Sequence, residues 1–121
     1  MARHTVCKLS DVMKGKIVPA TVGRAVIVIS RDATGEVRAF AGRCPHQGAR
    51  LEFGQVTEMV EGETVNDLSV DKTHHVLRCP WHGFEFSLNT GQAVVQNAIG
   101  KYLRLRRYEV EIDGDDVIVV K

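Results

Sequence analysis

A chain of 121 residues with 16 Lys+Arg against 15 Asp+Glu is one domain's worth of nearly neutral polypeptide, long enough to bury roughly two-thirds of its unfolded surface without covalent staples. The balanced charge supplies no field for nucleic acid or an anionic membrane, and the scattered aromatics offer no base-stacking platform. The longest apolar run, Ala25–Ile29, is far shorter than the roughly twenty residues of a membrane helix. The N-terminus, MARHTVCKLSDVMKGK, lacks the apolar core of a signal peptide. The expectation is one domain over 1–121, soluble and cytoplasmic.

Taken in order, the elements are mostly strands. HTVCKLS (4–10) reads as a strand that buries Cys7 and leaves His4 as plain surface. SDVMKGK (10–16) offers one helical turn capped by Ser10. RAVIVIS (24–30) is a β-branched run too short for a helix. DATGEV (32–37) is a turn in which Gly35 takes positive φ, and VRAFAGR (37–43) returns to complete a hairpin. After CPHQGARL (44–51) comes a composition shift. Residues 58–73 carry Glu58, Glu61, Glu63, Asp67 and Asp71 against Lys72. HHVLR (74–78) leads into CPWHGFEF (79–86), and FEFSL (84–88) leads out. NTG (89–91) turns the chain into QAVVQ (92–96).

The final hairpin pairs KYLRLRRYEVEI (101–112) with VIVV (117–120) across DGDD. Leu103 and Leu105 have one parity, whereas Tyr108, Val110 and Ile112 have the other. A side-chain period of two cannot place all five on one face. A β-bulge near Arg106–Arg107 would reconcile them, as would a strand that passes from one sheet to another. The expected architecture is all-β, a small sandwich or barrel.

Three cysteines in a small chain of this type argue against a disulfide framework and for metal binding. Cys44-x-His46 and Cys79-x-x-His82 each offer one sulfur and one nitrogen, a set suited to borderline-soft metals. A structural zinc ion is one reading, although zinc modules usually pair Cys with Cys and His with His at longer spacings. The other is a [2Fe-2S] cluster with two cysteines on one iron and two histidines on the other. Pro45 and Pro80 stiffen the loops, and Gly48 and Gly83 permit tight turns beside each histidine.

CPHQGARL together with CPWHGFEFSLNTGQ resembles the two cluster-binding loops of Rieske iron–sulfur proteins. The resemblance implies a Rieske-type sandwich of antiparallel sheets with both loops at one tip, and one [2Fe-2S] cluster per chain. Cys44 and Cys79 would ligate one iron, and His46 and His82 the other. High-potential members carry a second cysteine in each loop, where this chain has Ala49 and Trp81. They also use Ser and Tyr hydroxyls toward cluster sulfur, where it has Phe84 and Phe86. Loss of hydrogen bonds to sulfur disfavours the reduced cluster, which implies the low end of the roughly −150 to +300 mV Rieske range. This pattern is similar to the Rieske-type ferredoxins of bacterial ring-hydroxylating oxygenases. It implies a one-electron carrier, not an enzyme, between an NAD(P)H-dependent reductase and a terminal oxygenase. The alternatives are a small Rieske subunit of a nitrite-reductase-like complex and, more distantly, a structural zinc module.

About 40 residues follow the second loop, too few for the mononuclear-iron domain of an oxygenase large subunit. His74 and His75 with Asp71 make an improbable improvised site, because neighbouring residues of a strand point to opposite faces. The acidic stretch 58–73 reads as an insertion, either a solvated hairpin or a surface that steers a basic partner to the histidines. Lys101, Arg104, Arg106 and Arg107 read as a basic strand face that guards an edge against aggregation or, alternatively, docks a partner. Trp81 would shield the cluster.

Overall fold

The computed structural model describes residues 2–32, 34–45, 48–61, 69–80, 85–88, 90–96 and 102–121. His46, His82, Trp81, Phe84, Glu63, Asp67 and Lys101 therefore lie outside the described residues. Eleven antiparallel strands form two sheets: β1 (Arg3–Lys8), β2 (Val18–Val22), β3 (Ala25–Arg31), β4 (Val37–Ala41), β5 (Gln55–Glu61), β6 (Ser69–Arg78), β7 (Glu85–Ser87), β8 (Gln92–Gln96), β9 (Tyr102–Arg104), β10 (Arg107–Asp113) and β11 (Asp116–Val120). One sheet has the order β1-β11-β10-β4-β3-β2 and the other β5-β6-β7-β8-β9. The all-β expectation holds.

The unbroken apolar run of β3 has a simple cause: both of its faces are covered. Ile27 and Ile29 enter a core within the six-stranded sheet, with Val12, Val22, Ala39, Val117 and Val119. Val28, of opposite parity, enters a second core with Phe40, and that core also holds Cys44, Leu51, Leu77, Cys79, Phe86 and Leu105. The β3–β4 turn is locked by Asp32, whose carboxylate accepts from the Thr34 and Glu36 N–H groups at 2.9 and 3.1 Å and from Arg38 Nε at 3.1 Å. Gly35 takes φ +88° there, as expected.

Three details differ from the sequence reading or decide between its alternatives. The N-terminal turn spans Leu9–Asp11, and Asp11 closes it by accepting from the Lys8 N–H at 3.1 Å, so Ser10 is not the cap. The phase change near Leu105 is a change of sheet. β9 belongs to the five-stranded sheet and β10 to the six-stranded one, with buried Leu105 at the crossing. Ile112, past the crossing, is 47% exposed and takes no part in either core.

The acidic stretch lies largely in the β5–β6 hairpin. Gln55 pairs with Arg78 at one end and Glu61 with Ser69 at the other. Residues 62–68, between the two strands, lie outside the described residues. The charged side chains of the stretch 58–73, and with them the steering role, also lie outside the described residues.

Candidate metal centre

Each loop is closed by a cross-strand pair, and each cysteine is the first residue inside it. Arg43 bridges Arg50, enclosing 44–49. Arg78 pairs with Glu85, enclosing 79–84. Both loops are thus six residues long, a symmetry that the unequal Cys–His spacings conceal.

The first loop is held from within by backbone bonds. Cys44 N–H donates to Ala49 O at 2.8 Å, Gly48 N–H donates to Cys44 O at 2.7 Å, and Leu51 N–H donates to Gly42 O at 2.9 Å. Gly48 adopts φ +75°, a conformation that disfavours any side chain. A 3₁₀ turn, Leu51–Phe53, follows. Leu51 is fully buried and Phe53 is 70% exposed. Gly54 ends the turn against β6, where a Cβ would fall 2.0 Å from Arg78 O. This contact sets the first loop against the strand that delivers Cys79. Pairing patterns do not reveal it from sequence; only the glycine itself hints at a close approach.

Cys44 is 2% and Cys79 3% exposed, and both belong to one core cluster with Phe86. No disulfide joins the three cysteines. Cys7 stands apart in β1 on the six-stranded sheet. It is only half-buried; desolvation, then the charge of Asp11, raises its thiol pKa. Two buried thiols delivered by matched loops are the donor set that a thiolate-bound iron needs. Among the described residues no group of three or more His, Cys, Asp and Glu side chains could hold a metal ion, and two of the four expected ligands lie outside those residues. His75 is buried with Nδ1 lacking a hydrogen-bond partner among the described residues. It shares its strand face with Leu77 and Cys79 by alternation.

The all-β fold, with two loops that each open on a buried cysteine, is that of a small iron–sulfur domain. The Rieske [2Fe-2S] domain family matches residues 2–109, and the chain belongs to that family. It carries the family's Rieske-type [2Fe-2S] cluster.

The chain is 27% identical over 115 residues to apoptosis-inducing factor 3 of Mus musculus, covering 95% of this chain and 16% of that protein. It thus spans about one-sixth of that relative's length. It is 27% identical over 119 residues to the 3-phenylpropionate/cinnamic acid dioxygenase ferredoxin subunit of Escherichia coli K12, covering 98% of this chain and 93% of that one. A chain from the complex of reduced oxygenase and oxidized ferredoxin in carbazole 1,9a-dioxygenase superposes with TM-score 0.70 at 26% identity, covering 98% and 92%. The putative NADH-dependent nitrite reductase small subunit of Mycobacterium tuberculosis superposes with TM-score 0.74 at 16% identity, covering 99% and 95%, and shows the shared fold. Among the described residues no helix is long and apolar enough to cross a membrane.

Proposed function

We propose that this chain is a one-electron carrier in which Cys44 and Cys79 ligate one iron and His46 and His82 the other, with one cluster per chain. The matched six-residue loops carry this reading: each opens on a buried cysteine immediately after a cross-strand pair. The bound cluster supplies reversible uptake of a single electron. The chain's own residues hold it and set its surroundings. Phe86, fully buried in the core that contains both cysteines, presents an apolar ring and no hydroxyl, which favours a potential at the low end of the Rieske range.

In this reading the domain spans 1–121 and works in the cytoplasm, passing electrons from an NAD(P)H-dependent reductase to a terminal oxygenase. The near-complete mutual coverage with a dioxygenase ferredoxin subunit supports it. No substrate chemistry is assigned to the chain.

The test is EPR of the dithionite-reduced protein, with iron and sulfide assayed on the same sample. The expected result is two irons per chain and a rhombic signal with average g below that of all-cysteine [2Fe-2S] proteins. Substitution of His46→Cys or His82→Cys should change the spectrum; an unchanged spectrum would refute the ligand assignment. One zinc per chain and a silent spectrum would refute electron transfer.

A further inference from the structure

The surface beside Cys79 is lined by described residues, and these contribute charge that a partner meets there. Phe53 is the most exposed large apolar side chain among the described residues. It does not hang on a loose loop: its turn is pinned by buried Leu51 and by the Gly54–Arg78 contact. The Arg50 guanidinium lies 5.8 Å from the Phe53 ring centroid. Arg50 is bridged to Arg43. Phe53 and Arg78 line one depression of about 350 Å³ together with Gly54, Gln55, Cys79 and Pro80. An aromatic ring with one arginine over it and another in the same depression thus adjoins the second loop's cysteine.

Among the described residues the outward charge of this face is positive. Arg43, Arg50 and Arg78 are all exposed. Of the described carboxylates nearby, Glu52 has a side chain only 14% exposed and lies 2.5 Å from Arg50. Glu85, the cross-strand partner of Arg78, is half-buried. Arg43 and Arg78 make no ion pair with the described residues. Rigid aromatic and arginine side chains are the groups that dominate protein interfaces. Unpaired surface guanidinium groups favour a partner of opposite charge.

We propose that this face docks a redox protein presenting carboxylates around an apolar recess, with Phe53 in the recess and Arg43, Arg50 and Arg78 on the carboxylates. The proposal rests on the electron-carrier reading and names the partner chemistry at that same end of the molecule. It reverses the polarity suggested by the acidic stretch.

The test uses the full, cluster-loaded chain, reduced, in stopped-flow oxidation by ferricyanide, an anion, and by tris(1,10-phenanthroline)cobalt(III), a cation. Salt is raised from about 0.01 to about 0.15 M, which shortens the screening length from about 30 to about 8 Å. The ferricyanide rate should fall about 3- to 10-fold and the cobalt rate should rise. Arg50→Gln with Arg78→Gln should flatten both slopes while the visible spectrum stays. A ferricyanide rate that is flat or rises with salt would overturn the proposal, and the wild-type protein alone decides this.

For Phe53 the probes are polyglutamate and a glutamate/tyrosine copolymer of equal length. The copolymer should bind about tenfold more tightly, the worth of one aromatic anchor, and Phe53→Ser should abolish that difference. Equal binding by wild type, or a difference that persists in Phe53→Ser, would overturn it. Loss of the electron-carrier reading itself is separable: the protein would then reduce neither oxidant and show no iron–sulfur spectrum.

Discussion

Gly54 lies so close to Arg78 that a Cβ on the glycine would fall 2.0 Å from the arginine's carbonyl oxygen. No side chain fits there without moving backbone, and Arg78 is bonded directly to Cys79. Gly54→Ala should therefore cost about 3 kcal/mol of stability and also shift the EPR g values and potential, because the two loops move relative to one another. Gly91→Ala is the control. Gly91 has φ +79°, and a Cβ would lie 2.9 Å from Leu105 O, at the end of β7 away from the second loop. It should destabilise comparably by thermal melting and leave the EPR signal alone. Identical spectra for both variants would show that the Gly54 contact serves stability only.

Phe86 is fully buried among the residues that surround both cysteines. Phe86→Tyr should supply a hydroxyl toward the site and raise the potential. One hydrogen bond is worth about 1 kcal/mol, or about 40 mV for one electron. Protein-film voltammetry would measure it. A retained cluster with an unchanged potential would remove the basis for assigning a low value.

Asp32 is a buried carboxylate with a direct pH consequence. Burial pushes its pKa up, but bonds from the Thr34 hydroxyl, Arg38 and the Glu36 and Thr34 N–H groups outweigh this, so it lies below its usual 3.8. A lowered carboxylate pKa stabilises the fold above the unfolded value and loses that contribution as pH falls through the folded one. Stability should thus hold above about pH 4 and decline below it. Asp32→Asn should cost about 2 kcal/mol at neutral pH and flatten the acid limb of a urea-midpoint profile. An acid limb identical to wild type would mean that other carboxylates govern it.

Phe53 is 70% exposed, so its apolar surface contributes little to folding. Phe53→Ser should change stability by less than about 0.5 kcal/mol in chemical denaturation. A larger loss would mean that the ring packs on the chain itself, and its exposure would need another explanation.

The strands were legible because their signals are local. Alternation, Gly35 and the DGDD turn fix hairpins without reference to the rest of the chain. The phase change at Leu105 was visible too, but a bulge and a change of sheet produce the same parity slip. Only the partners of β9 and β10 separate them. The register of β5 on β6 is illegible for a similar reason: it rests on Gln55 pairing with Arg78, a contact between residues 23 apart. Of the site, the cysteines fall where the spacing placed them, at the start of closed loops. Their matched loop lengths depend on Arg43–Arg50 and Arg78–Glu85 pairings that no motif states. The approach of Gly54 to Arg78, a residue 24 positions on, is likewise stated by no motif.

Edge strand β1 runs beside β11, and at their margin the Ala2 N–H donates to Lys121 O while the Lys121 N–H donates to Ala2 O, both at 2.9 Å. The sheet therefore brings Ala2 and Lys121 to one spot on its rim. A linker of a few residues would join them into a circle, and new termini could open at an exposed turn such as Asp113–Asp116 with the strand order intact. The same closeness lets the fold be grafted into a host sequence at a single loop, as a cassette whose entry and exit lie side by side.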